Sequence, residues 1–346
     1  MSENNLLVSR QGAVGIISLD RPANLNALSV GMTEGIIAQL QIWENDSQVK
    51  AVIINSTSPK AFSAGGDVRY LYDTFKAGTT AYQDYFATEY HMLNMIRSYP
   101  KTVVALIDGY AFGGGMGLVQ ACHIRVSSEK SRFAMPETGI GFFPDVGGTY
   151  FLSRLQDAGV YLALTGEQFS ASDALYLGLI DAIVESERLE SLEAALYTST
   201  ELDQQSIKQL IADFDTQATT SSLEALMPVI KKHFSHSDLV QIEQSLLVEQ
   251  QPNWSEWAEK TTKTLIQRSP LAKQISLRLQ HVGRQLTLEQ CLQLERNLQD
   301  IWFDHGDFIE GVRALLVDKD KQPQWQHDNA RLQEILAQIF SKTLAA

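Results

Sequence analysis

The chain has 346 residues, 44% hydrophobic and 20% charged, enough for one large or two moderate globular domains. A formal net charge of −13 argues against a general nucleic-acid or anionic-membrane binder, but not against a small anion held by a few local cations. Two cysteines, Cys122 and Cys291, are too few for a disulfide framework or a zinc ribbon.

MSENNLLVSR opens the chain without a basic, apolar signal or an Arg-rich transit pattern, so a reducing cytoplasm is expected. The longest apolar runs are of strand length, and no transmembrane helix is expected. AVGIISLD (13–20) reads as a strand, followed by RPANLNALS and a helical stretch, GMTEGIIAQLQIWEND. KAVIINS (50–56) reads as a second strand, TVVALIDG (102–109) as a third and IRVSSE (124–129) as a fourth. Strands alternating with helices imply an α/β protein, and fully apolar runs imply strands buried on both faces.

Three segments among these elements carry chemistry. In SPKAFSAGGDVRYLYD (58–73), Ala64-Gly65-Gly66 must turn tightly. Asp67 then either caps the next helix or belongs to a place where a ligand approaches the backbone. In GYAFGGGMG (109–117), three consecutive glycines open a helix whose first N–H groups lack internal partners. Those donors suit an oxyanion; close helix–strand packing is the plainer reading. The dinucleotide fingerprint fails because Leu118 stands where its last glycine is needed. In AMPETGIGFFPDVGGTYFLSRL (134–155), Glu137 sits among apolar neighbours, where a carboxylate is costly unless it works or is paired. Asp145 precedes a helical stretch, which it either caps or serves as a reactive acid. A loop acid at the surface is the plainer reading of Glu137.

After about Ile183 strand-like runs give way to helical periodicity rich in Gln, Leu and Glu. Ser269-Pro270 predicts a capped helix start, and Thr287 with Gln290 a capping box. The expected organisation is a core over 1–190 and a helical region over 191–346, packed on it and not necessarily independent. His233 and His236 share a helix face and read as solvated, and Cys122 as a buried structural thiol. Trp254 and Trp257 pack the helical region or meet a partner. No Gly-x-Ser-x-Gly elbow is present, which disfavours a serine hydrolase.

Together, KAFSAGGD, IDGYAFGGGMGL and FAMPETGIGFFPDVGG resemble the crotonase superfamily, the enoyl-CoA hydratase/isomerases, and RPANLNALS fits it. FAMPETGIGFFPDVGGTYFLSRL and DFIEGVRALLVDKDKQPQW (307–325) look like its 3-hydroxyisobutyryl-CoA hydrolase branch. The resemblance covers nearly the whole chain and is weakest over 190–265. It implies a ββα spiral core followed by a mainly helical C-terminal region. It also implies that the backbone N–H groups of Ala64 and Gly114 hold the thioester oxygen as an oxyanion hole. Gly65, Gly66, Asp67, Gly113 and Gly115 would line the substrate. Hydratases of the superfamily use two glutamates. The first falls on Gly117, which has no side chain, and the second on Glu137. The hydrolase branch uses an acid pair that matches Glu137 and Asp145, and a substrate-contacting acid that matches Glu89.

By itself Glu89 reads as a solvated helix charge. The implied activity is hydrolysis of a short-chain 3-hydroxyacyl-CoA, namely 3-hydroxyisobutyryl-CoA from valine breakdown, with Glu137 as base or nucleophile. The alternatives are an enoyl-CoA hydratase or isomerase, and a non-catalytic CoA-binding or assembly-partner protein. No cofactor and no metal are expected, since CoA arrives with the substrate. An acyl-CoA is the expected partner; nucleic acid and membrane are not, and a homo-oligomer is compatible with the superfamily. Arg21, Lys60, Arg69 and Lys101 lie near the relevant loops as candidates for the CoA phosphates.

Overall fold

Runs of Val, Ile and Ala in the N-terminal half build two sheets. The computed structural model describes residues 5–216, 220–328 and 330–345. Among them the strands are β1 (Leu6–Gln11), β2 (Val14–Leu19), β3 (Ala51–Ser56), β4 (Ala61–Ser63), β5 (Thr102–Ile107), β6 (Tyr110–Phe112), β7 (Ile124–Ser127), β8 (Arg132–Ala134), β9 (Phe169–Ser170) and β10 (Ala182–Ile183). One sheet has the order β1-β2-β3-β5-β7-β10 and the other β4-β6-β8-β9. Only the β1–β2 and β8–β9 pairs are antiparallel.

The repeat is legible in this order. β3 leads to β4, β5 to β6 and then helix Gly114–Ala121, and β7 to β8. Each turn places one strand in each sheet and moves one position along both, which is the ββα spiral. Every residue of β5 is buried, as an apolar strand covered on both faces should be.

The chain divides into two compact units. The first comprises Met1–Asp67, Asp84–Ala134 and Gln168–Glu224, and the second Val68–Gln83, Met135–Glu167 and Ala225–Ala346. This differs from the boundary expected at 190. Residues 135–167 carry Glu137 and Asp145, and they group with the C-terminal helices that pack on them. In the first unit, Ile16, Ile53, Val104 and Val126 from the larger sheet cluster with Leu192 and Ile207 from two following helices. Burying each such side chain is worth about 1.5–3 kcal/mol.

The second unit is mainly helical. Ser269 accepts from the Ala272 N–H at 3.0 Å and starts helix Pro270–Gly283. Thr287 and Gln290 form the expected capping box of helix Leu288–His305. Trp257 packs on Tyr161 and Phe234 within the helical region. The solvated reading of His233 is corrected. It is 1% exposed, between Ser245 Oγ and Glu249 Oε2, each at 2.9 Å, so two polar neighbours and not water satisfy its ring. Both cysteines are buried free thiols. Among the described residues no helix is long and apolar enough to cross a membrane.

Candidate active site

The first unit holds a cradle of backbone amides. Asn26 is fully buried, and its side chain donates to the Ala61 and Phe62 carbonyls, fixing the RPANLNALS segment against β4. The chain then meets the Ala64–Asp67 turn as an isolated parallel bridge between Leu28 and Gly66. Leu28 N–H donates to Gly65 O at 2.7 Å, and Asp67 N–H donates to Leu28 O at 3.1 Å. A parallel bridge of this kind uses the flanking groups and leaves the N–H of its central residue, Gly66, turned away. No acceptor for the Gly66 or Gly114 N–H is found among the described residues.

These two amides are neighbours. A Cβ built on Gly114 would stand 3.0 Å from the Gly66 nitrogen and 2.8 Å from Glu89 Oε1. Gly65 holds the turn at φ +109°, where only glycine is at ease. Gly113 N–H is spent on Ala134 O at 3.0 Å, and a Cβ on Gly115 would strike Ser63 O at 2.5 Å. Those two glycines therefore shape the cradle and let helix Gly114–Ala121 sit against β4.

The expectation that Ala64 supplies one of the donors is corrected. Its N–H already donates to Leu25 O at 2.9 Å, and the available donor of this turn is Gly66. Asp67 pairs with Arg21 at 2.7 Å, which ties the turn to the preceding segment and accounts for both residues without a ligand. Two further cation candidates are also engaged. Arg69 pairs with Asp73, and Lys101 donates to the Trp43 and Asp46 carbonyls at the end of helix Val30–Glu44. The Lys60 ammonium has no partner among the described residues.

Glu89 is not a solvated charge. It is 2% exposed, on helix Ala81–Arg97, and burial pushes its carboxyl up to about 7. The Tyr85 hydroxyl lies 3.4 Å from Glu89 Oε1, and a hydrogen bond there opposes the shift only in part. The Tyr85 proton has a shorter acceptor in Leu28 O at 2.8 Å.

The second unit holds the two other acids. Glu137, 7% exposed, opens the short 3-10 turn Glu137–Ile140 directly after Pro136. That turn is anchored on both sides. Thr138 Oγ1 donates to Leu164 O at 3.1 Å, and Ser269 N–H donates to Thr138 O at 3.2 Å. Asp145 is 5% exposed and accepts from Gln299 Nε2 at 2.7 Å. Its carboxylate does not cap the helical turn that follows. The Gly147 and Thr149 N–H groups instead donate to Glu295, each at 2.8 Å. Val146, between Asp145 and Gly147, has φ +51°, a strained conformation for a β-branched residue.

Sequence reasoning missed Gln299, Glu295 and Tyr85. One signal was available: Cys291, Glu295, Leu298, Gln299 and Trp302 recur at helical spacing, so two polar residues share the stripe that should be buried. Among the described residues no cluster of His, Cys, Asp and Glu suits a metal ion.

Paired sheets linked by strand–strand–helix turns, with glycine amides at a helix start, define a crotonase-type fold. A family model described as enoyl-CoA hydratase/isomerase matches residues 14–343, and the chain belongs to that family. It is 40% identical over 340 residues to a protein of Gallus gallus named 3-hydroxyisobutyryl-CoA hydrolase, mitochondrial, covering 96% of this chain and 87% of that one. A carnitinyl-CoA dehydratase from Mycobacterium thermoresistibile superposes with a TM-score of 0.87 at 30% identity, covering 96% of this chain and 95% of that one. An enoyl-CoA hydratase from Rhodobacter sphaeroides 2.4.1 gives 0.86 at 34% identity, covering 97% and 96%.

Proposed function

We propose that the protein is an acyl-CoA thioester hydrolase that converts 3-hydroxyisobutyryl-CoA to 3-hydroxyisobutyrate and CoA in valine breakdown. The observation that carries this reading over hydration is the pair of positions 117 and 145. Gly117 offers no carboxylate where the family's hydratases have their first glutamate, and Asp145 supplies a buried one that Gln299 holds. Near-full-length similarity to a relative named as this hydrolase supports it.

In this reading the acyl oxygen accepts from the Gly66 and Gly114 N–H groups, which favour the negative charge that develops on it. Glu137 takes a proton from water as it attacks the acyl carbon, or attacks directly to form an anhydride that water then opens. In either route the C–S bond breaks, and CoA leaves as a thiolate that takes up a proton. Asp145 accepts a hydrogen bond from the substrate's 3-hydroxyl or from the water. We assign the protein to the cytoplasm, a reducing compartment that the buried free thiols suit; the Gallus relative's name places that protein in mitochondria.

The test is to incubate the protein with 3-hydroxyisobutyryl-CoA and with crotonyl-CoA, following thiol release and loss of enoyl absorbance. Thiol release from the hydroxyacyl substrate alone is expected. Rapid hydration of crotonyl-CoA would assign a hydratase instead, and inertness toward both would favour a binding protein.

The cradle makes its own prediction. The methyl of Gly114→Ala would occupy the space before both amides, and turnover should fall about a hundredfold or more. Its unfolding midpoint should drop less than that of Gly115→Ala, whose Cβ meets rigid backbone at 2.5 Å. Unimpaired turnover by Gly114→Ala would remove the cradle from the mechanism.

A further inference from the structure

We propose that Gln299 is a positioning residue for Asp145, and that helix Leu288–His305 thereby sets the geometry of the reaction. This rests on the reading of Asp145 as a catalytic acid. The helix grips segment 141–149 from one face, within the second unit. Glu295 accepts from the Gly147 and Thr149 N–H groups, Gln299 donates to Asp145 Oδ2, and Trp302 Nε1 donates to Gly141 O at 2.7 Å. Residues 295, 299 and 302 lie three and four apart, the spacing that stacks side chains on one helix face. All three are fully buried. Asp145 thus stands midway along a clamped segment, beside the strained Val146.

The chemistry of the contact suits an acid that must remain an acceptor. An N–H donor at 2.7 Å holds one carboxylate oxygen in place. A neutral amide does so without cancelling the charge, as a Lys or Arg partner would. The amide's orientation is itself determined: Gln299 Oε1 accepts from Arg296 Nη1 at 3.1 Å, which turns Nε2 toward Asp145. Arg296 is thereby linked to Asp145 through Gln299.

The test compares Gln299→Met, Arg296→Met, Asp145→Asn and the double variant Asp145→Asn/Gln299→Met by thiol release and by unfolding midpoint. Gln299→Met keeps the unbranched shape and removes the donor. Its turnover should fall about tenfold to a hundredfold, the scale of a lost hydrogen bond to a charged group. Arg296→Met should show a smaller loss in the same direction, and it carries the test if Gln299→Met does not fold. In the Asp145→Asn background, Gln299→Met should change turnover by less than about twofold, because residues acting as one unit are not additive. A merely structural glutamine would give the same fractional loss in both backgrounds. Additive losses, or normal turnover by Gln299→Met while Asp145→Asn is impaired, would overturn the proposal. Normal turnover by Asp145→Asn would instead overturn the role given to Asp145.

Discussion

Glu137→Gln should lower kcat for thiol release by about a hundredfold to ten-thousandfold, the range of a lost general base, with little change in KM. The substitution is close to isosteric, and backbone and Thr138 hydrogen bonds hold the turn. Phe142 N–H donates to the backbone O of Glu137 at 2.9 Å, while Thr138 is tied to Leu164 and Ser269 through its own groups. A loss of turnover therefore reports on chemistry and not on a displaced loop, provided the unfolding midpoint is retained. CoA contacts remain, so binding of the unreactive product should persist. A single turnover in oxygen-labelled water tests the pure base route. Label recovered in Glu137 requires an anhydride, whereas label confined to the product acid fits a water delivered by Glu137 as base. Near-normal turnover by Glu137→Gln would remove the residue from either route.

Local chemistry explains what the sequence revealed and what it hid. β2, β3 and β5 were legible because their Val, Ile and Ala are buried along nearly their whole length, whereas β1, equally long but exposed, was not read. The helix starts at Ser269 and Thr287 were legible because a cap is a local device, complete within four residues. β4, β6 and β8 escaped notice. Each has three residues, too few for any period to show. The two turns named from the sequence lie side by side, but the Ala64 N–H is already engaged by Leu25 O. Which N–H of Ala64-Gly65-Gly66 remains available is decided by Leu25 and Leu28, tens of residues earlier, through backbone bonds that leave no trace in side-chain identity. Gln299 and Asp145 are separated by 154 positions, so the helical stripe marks Gln299 as buried but says nothing of its partner. The division of the chain was hidden for the same reason. Residues 135–167 continue the strand-rich half in sequence, yet their packing partners lie in the C-terminal helices.

Glu89 supplies the second large effect, and its sign follows from burial. A carboxyl raised from 4.5 to about 7 in the folded protein binds its proton more tightly there than in the unfolded chain. The associated stability is fully present below the unfolded value and is lost as pH rises through the folded value of about 7. At roughly 1.4 kcal/mol per unit, the loss is about 3 kcal/mol on passing from pH 4.5 to above pH 7. Glu89→Gln has no such proton to lose. Urea unfolding should therefore find the variant and the native protein about equally stable near pH 4, and the variant more stable by up to about 3 kcal/mol near pH 8.5. Other titrating groups are common to both proteins and cancel in the difference. The same proton bears on catalysis if neutral Glu89 donates to the substrate. Turnover of the native protein should then fall about tenfold per pH unit above 7, while the glutamine amide, which keeps a donor at all pH, holds its activity level. Stability curves that run parallel across this range would mean that Glu89 is ionised in the fold at neutral pH. Burial would then be outweighed by polar partners, and the carboxyl would meet the cradle as a negative charge.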